Sequence, residues 1–271
     1  MGKKFELTEK YIVNESGTKL YQIKCTKTFK HAKKGELGGY IEKEENLSQK
    51  GDAWVYDNAR VSGNAWVYGD AQVFGNARVY DNARVYDNAK VSGNANVFGN
   101  AQVSGNANVF DNACVFGNAK VFDNAWVFGN AKVFGNAKVS GNANVSGNAR
   151  VFGNAKVFYN ARVSDNACVY GNAWVRGDAC VYGNAWVSGN AFLKSDADHC
   201  GFDCFGSSNR HTHAYLTRDN TVEITCGCFR GSIEEFEKKV KNTHAGTVYE
   251  KQYNAIINVI KIKFGLDETS K

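Results

Sequence analysis

From Gly51 to Lys194 the chain runs through 24 six-residue units without an insertion or deletion. The consensus is (Gly/Asp)-Asn-Ala-x-Val-(Phe/Tyr/Ser). The third position is Ala in all 24 units, from Ala53 to Ala191, and the fifth is Val in 23, with Leu193 closing the series. The second is Asn in 21 units and Asp at Asp52, Asp70 and Asp178. A hydrophobic period of six does not fit an α-helix, whose apolar stripe recurs every 3.6 residues. Gly and Asn in each unit penalise a helix further. A strand fits. Ala and Val, two apart, point to one face; x and the residue after Val point to the other. Gly/Asp followed by Asn makes a corner, because these residues tolerate the dihedrals of a sharp bend. Three units of strand and corner close a triangular coil of 18 residues. Eight such coils, at about 4.8 Å each, give a shaft of roughly 38 Å. Ala and Val fill its narrow interior, and Asn residues stack at the corners.

The flanks follow other patterns. Segment 1–50 reads as short strands at Phe5–Leu7, Tyr11–Val13 and Lys19–Cys25, with a turn at Asn14–Gly17. Ile41 and Leu47 fall in the phase of the Ala position, so imperfect coils are expected before Gly51. A cap is required there, since an open coil end leaves strand groups unpaired. Segment 196–271 differs. His213–Thr217 and Val222–Cys226 predict a hairpin turning at Arg218–Asn220. Ser232 with Glu235, and Thr247 with Glu250, are capping-box pairs that open two helices. The expected organisation is thus a cap (1–50), a shaft (51–195) and a ββαα unit (196–271).

The spacing Val-x-x-x-Ala-x resembles the hexapeptide-repeat proteins, a group that includes many acyltransferases. The entry segment Gly38-Gly39-Tyr40-Ile41, Asn46-Leu47-Ser48-Gln49 and Gly51-Asp52-Ala53-Trp54-Val55-Tyr56-Asp57 resembles the start of the YdcK-like proteins of bacteria and their phages. The C-terminal unit resembles small tail domains of phage proteins. These likenesses imply a mainly β fold, a left-handed parallel β-helix. They also imply association as a homotrimer through a flat face. They are informative about fold and poor evidence for activity.

Residues 18 apart stack on successive coils, so the surface can be drawn in columns. One face carries Ser62, Tyr80, Phe98, Phe116, Phe134, Phe152, Tyr170 and Ser188 after Val. The six consecutive aromatics, Tyr80 to Tyr170, exceed scattered surface apolarity. They form either a self-stacking ladder or a self-association face. Another face stacks Arg84, Gln102, Lys120, Lys138 and Lys156 between Ala and Val. This column is either a solubilising surface or a weak anion site. No Thr occurs between Gly51 and Lys194, which excludes the flat Thr lattice of ice-binding solenoids.

Composition changes little. With 43% hydrophobic and 22% charged residues the chain is a folding one. Its 28 glycines with no proline suit a repeat rather than a linker. The net charge of +6 owes much to Lys24, Lys27, Lys30, Lys33 and Lys34, read as a solvated face. The start has no apolar leader, and Glu6 argues against a myristoylation signal at Gly2. A cytoplasmic setting with reduced thiols is the expectation for its eight cysteines.

Candidate chemistry is confined to the ends. The shaft has no His and no extruded loop, and six of its Asp residues stand where Gly otherwise makes the corner. His199, His211 and His213 are therefore the candidates for catalysis if the chain is an acyltransferase. Cys200, Cys204, His211, His213, Cys226 and Cys228 are candidate ligands of a structural zinc, at spacings looser than a CxxC pair. Buried thiols with hydrogen-bonded histidines, and a Cys/His nucleophile, are the alternatives. The leading expectation is a non-catalytic binding or scaffold protein with no cofactor and no membrane partner. Its partner is a protein or a small anionic ligand rather than nucleic acid. Acyl transfer is the first alternative. Sequestration of a nucleotide-like anion between subunits of a phage protein is the second.

Overall fold

Each hexad forms a two-residue strand from its x–Val pair, followed by a corner. The computed structural model describes residues 2–266. Met1, and the end of the expected 196–271 unit from 267 onward, lie outside the described residues. Strands β1 (Phe5–Val13), β2 (Lys19–Cys25) and β3 (Leu37–Ile41) precede the repeat. Strands β4 (Trp54–Val55) to β27 (Phe192–Leu193) follow, one per hexad. Each pairs in parallel with the strand 18 residues on, as in Val73↔Val91 and Val91↔Val109. The result is three stacked sheets enclosing a parallel β-solenoid of about nine turns. Every Val of the repeat is fully buried, and the Ala residues nearly so.

Most of the bonds between coils run one way. The N–H of x donates to the Ala carbonyl of the next coil (Asn96 N to Ala113 O, 2.9 Å). The residue after Val donates to the next Val carbonyl (Phe98 N to Val115 O, 3.0 Å). The corner Asn adds a third bond (Asn100 N to Gly117 O, 2.8 Å). Asn side chains run in parallel with this, as in Asn94 to Asn112 at 3.1 Å and Asn112 to Asn130 at 3.3 Å.

The corner residue takes a φ near +60°, where Gly is free of the Cβ penalty. Six corners use Asp instead: Asp57, Asp81, Asp87, Asp111, Asp123 and Asp165. In each, Oδ2 accepts the N–H of the glycine one coil further on, at 2.9–3.2 Å. Asp is therefore more than a tolerated substitute: its carboxylate adds a bond that a Gly corner lacks. Tyr159 takes the same φ without that compensation, and nothing in the structure explains its presence.

At the N-terminal end β1 pairs with β2 and β2 with β3, all antiparallel, and β3 runs parallel to Arg60–Val61. The two short strands expected before Asn14 are one strand with a bulge between Leu7 and Tyr11. Ile41 and Leu47 also differ from expectation. They pair with Val61 and Val67, so they occupy the Val level rather than the Ala level. Their partners lie 20 residues on, so this coil holds two extra residues, placed between Leu47 and Ala53. The Val level accommodates a large side chain; the cramped Ala level does not. The carbonyls of the first coil need donors, and two side chains supply them. Lys4, 1% exposed, reaches Ala53 O at 2.8 Å and Gly51 O at 3.3 Å. Asn46 Nδ2 reaches Ala65 O at 2.8 Å and Gly63 O at 3.1 Å. Burial lowers the Lys4 ammonium to about 8.

The C-terminal unit has four antiparallel strands rather than two: β28 (His199–Phe205), β29 (Arg210–Leu216), β30 (Val222–Cys226) and β31 (Phe229–Ser232). Helices α1 (Ile233–His244) and α2 (Val248–Lys263) cover one face of this sheet through Phe236, Val240, Tyr253, Ile256, Ile257 and Ile260. The Ser232–Glu235 capping box is complete. At the second helix Thr247 accepts from Glu250 N, while the Glu250 carboxylate takes Gly246 N. We expect Asp111→Ala to lower stability by about 1 kcal/mol, the net worth of the lost bond to Gly129, because the Cβ and its left-handed strain remain. Asp111→Gly, which loses the same bond but sheds that strain, is expected to fall less when both are compared by urea unfolding.

Candidate functional site

Alternation along the tail sheet decides what its side chains can do. In β28, Cys200 and Phe202 face the helices, and Ala214, Ile224 and Cys226 do the same from β29 and β30. His199, His213, Tyr215 and Thr225 stand on the opposite face, against the last coil of the solenoid. That coil presents polar groups that need partners. Thr225 Oγ1 donates to Trp186 O at 3.1 Å, and His213 Nδ1 lies 3.3 Å from the same oxygen. Tyr215 Oη is 3.1 Å from Ser188 Oγ and donates to Glu223 Oε1 at 2.6 Å. Asp196 Oδ1 accepts Cys180 N at 2.7 Å.

The three histidines named from the sequence come together at this junction. His213 is 1% exposed, and desolvation pushes it down to about 3, so it is neutral at ordinary pH. Donating Nδ1–H to Trp186 O leaves its Nε2 to accept from His199 Nδ1, 3.0 Å away. Desolvation lowers His199 as well. His211 Nδ1 pairs with Asp203 Oδ1 at 2.7 Å, a carboxylate partner the sequence reading had missed. The Nε2 atoms of His199 and His211 are buried without a hydrogen-bond partner. They line a cleft of about 300 Å³ together with Tyr182, Asp196, Cys200 and Asp203. Gly201 makes room here: a Cβ on it would lie 2.7 Å from His211 Cε1. Burial pushes the Cys200 thiol up to about 11, so the cleft holds no ready thiolate nucleophile.

The outward columns of the shaft are as regular as its interior. From Tyr80 through Phe98, Phe116, Phe134 and Phe152 to Tyr170, successive rings stack 4.8–5.1 Å apart and within 5° of parallel. Each ring covers its neighbours' faces and leaves an edge to solvent, so all six are half-buried. The self-stacking ladder is thus present. On a second face Arg84, Gln102, Lys120, Lys138 and Lys156 pair in unbroken register. Residues 53–69, 71–87, 77–91 and 161–177 match the YdcK beta-solenoid repeat. This chain is a YdcK-like β-solenoid protein. No curated protein matches it.

In this YdcK-like chain the six proposed zinc ligands do not converge. Cys226 is buried on the helix side, where Thr212 donates to its sulfur at 3.3 Å, while His213 faces the shaft. Cys228 is exposed in the tight turn after Cys226, not on a shared strand face. Cys204 is exposed at a bulge with φ of +62°. Among the described residues no group of three or more His, Cys, Asp or Glu side chains is disposed to hold a metal ion. Among them, too, no helix is long and apolar enough to cross a membrane.

The buried neutral His213 makes the junction acid-sensitive. Above the ordinary histidine value of 6.5 it is neutral both folded and unfolded. Below 6.5 the unfolded chain takes up a proton that the native site refuses until about 3. Stability is therefore expected to fall across that window, by at most about 1.4 kcal/mol per pH unit. His213→Asn, which keeps a donor for Trp186 O, is expected to flatten this slope in hydrogen exchange of the tail sheet.

Proposed function

We propose that this YdcK-like protein is a non-catalytic binding scaffold, a homotrimer joined through the Tyr80–Tyr170 face, working in the cytoplasm of a bacterial or phage-infected cell. The observation that carries this reading is the uninterrupted aromatic column on a shaft without a single histidine. The other two faces break their aromatic columns with serine, at Ser92, Ser146 and Ser164 on one and at Ser104 and Ser140 on the other. Stacking satisfies the ring faces but not their edges. A rotation axis parallel to the shaft would let three copies cover those edges in a closed, isologous-free ring. Light scattering is expected to give three times the 29.7 kDa chain mass. Phe116→Asp with Phe134→Asp is expected to give the monomer. An unchanged trimer in that variant would reject this face as the interface, and a monomeric wild type would reject trimerisation.

One observation favours a second reading, acyl transfer of the hexapeptide class. His211 is oriented by Asp203 and keeps Nε2 unpartnered at the junction cleft, the arrangement a general base needs. Under the scaffold reading, incubation with acetyl-CoA releases no CoA above the blank. Release that disappears in His211→Ala would carry the enzymatic reading instead.

A further inference from the structure

The face of the shaft that ends in Phe192–Leu193 combines two features found together nowhere else on the solenoid. The first is charge. At its outward positions, on the strands or just after them, it carries Arg84, Lys120, Lys138, Lys156, Arg176 and Lys194, and no acidic residue. Neighbouring strands lie about 4.8 Å apart, so Lys120, Lys138 and Lys156 form a continuous row. Among the described residues none of these six cations is in a salt bridge. The corner carboxylates that follow these cations, Asp87, Asp123 and Asp178, accept from Gly105 N, Gly141 N and Asn160 Nδ2 rather than pairing with a cation.

The second feature is a ring with no aromatic neighbour above or below it. In the Tyr80–Tyr170 ladder every interior ring is covered on both sides by its neighbours. Phe122 stands instead between Ser104 and Ser140 in its column, and among the described residues no aromatic ring packs on it. It is half-buried and follows the strand Lys120–Val121, two residues from Lys120. Further along the same face the cations sit on rings rather than on acids. Lys156 Nζ is 4.3 Å from the Trp174 ring centre, and Arg218 of the tail is 4.4 Å from the same ring. Such contacts hold the side chains in place without neutralising them.

A row of unneutralised cations beside a flat ring is the surface that tracks a phosphate backbone and stacks an unpaired base. A duplex, whose bases are already stacked, would use the charge and not Phe122. We propose that this face binds single-stranded nucleic acid, with Lys120, Lys138 and Lys156 on the phosphates and Phe122 against a base. This rests on the binding-scaffold reading and replaces the sequence-based expectation that nucleic acid is not a partner. It does not depend on the trimer, whose proposed interface is a different face.

The test is fluorescence anisotropy with a labelled twelve-nucleotide oligo-deoxythymidine, a duplex of the same length and heparin as a plain polyanion. The oligonucleotide is expected to bind with a log–log salt slope of about −2, three phosphate contacts at 0.7 each. Lys120→Glu with Lys138→Glu is expected to abolish binding, and Arg150→Glu on the adjacent face to spare most of it. Phe122→Ala is expected to weaken the oligonucleotide about ten-fold at an unchanged salt slope, and heparin not at all. Absence of saturable oligonucleotide binding at low salt would overturn the proposal, as would tighter binding of the duplex or heparin, or indifference to Phe122→Ala. The same titration on Phe116→Asp with Phe134→Asp separates the two proposals, since binding is expected to persist in the monomer.

Discussion

The ladder between coils is the interaction on which everything else rests. Each coil donates from x, from the residue after Val and from the corner Asn to carbonyls of the coil that follows. Only the Val N–H, in the parallel pairing of the x–Val strands, points back at the preceding coil, and this imbalance gives the two ends different needs. The first coil is rich in free carbonyls, and the N-terminal segment answers with donors, the Lys4 ammonium and the Asn46 amide. The last coil offers N–H groups and the carbonyl of Trp186. The tail answers with the Asp196 carboxylate for the first and Thr225 and His213 for the second. The end modules are therefore chemically unlike each other because the shaft between them is a polar stack.

Seen this way the junction histidines are part of the closure before they are anything else. His213 owes its neutrality to burial, and neutrality lets it pass a hydrogen bond from His199 to the shaft backbone. His211 is different. Its Asp203 partner lies on the edge strand, and its second nitrogen has nothing to bond. An unpaired buried nitrogen of this kind costs free energy, on the order of 1–3 kcal/mol; with the equally unpaired Nε2 of His199 it marks where closure at the junction is incomplete.

The solenoid was legible in the sequence because a strict period constrains it at every step. Where the period lapses, reading became unreliable. Ile41 and Leu47 are spaced six apart like the repeat, and only the pairing with Val61 and Val67 reveals that the coil takes in two extra residues before Ala53. In the tail, Cys and His residues crowded within 30 positions suggested a metal centre. Alternation on β28 to β30 sends Cys200 and Cys226 towards the helices and the imidazoles towards the shaft, a separation that nearness along the chain conceals. The pairing of His211 with Asp203 was out of reach, since it depends on the register of two strands and a bulge. The corner aspartates were recognised as substitutes for glycine, but a bond to a residue 18 positions on is visible only once coils are stacked.

A three-sided shaft also limits how such a gene can lengthen or shorten. Adding or deleting a single hexad leaves the interior intact, since Ala and Val return in phase. It nevertheless turns everything beyond that point by one wall. The ring ladder would be cut and resumed on a neighbouring side, and the tail would meet a different edge of the final turn. Only changes of a whole circuit, or compensated pairs of smaller ones, keep both the walls and the tail's orientation. Drift in length among related chains is thus quantised by geometry, although the hydrophobic core alone would tolerate any number of units.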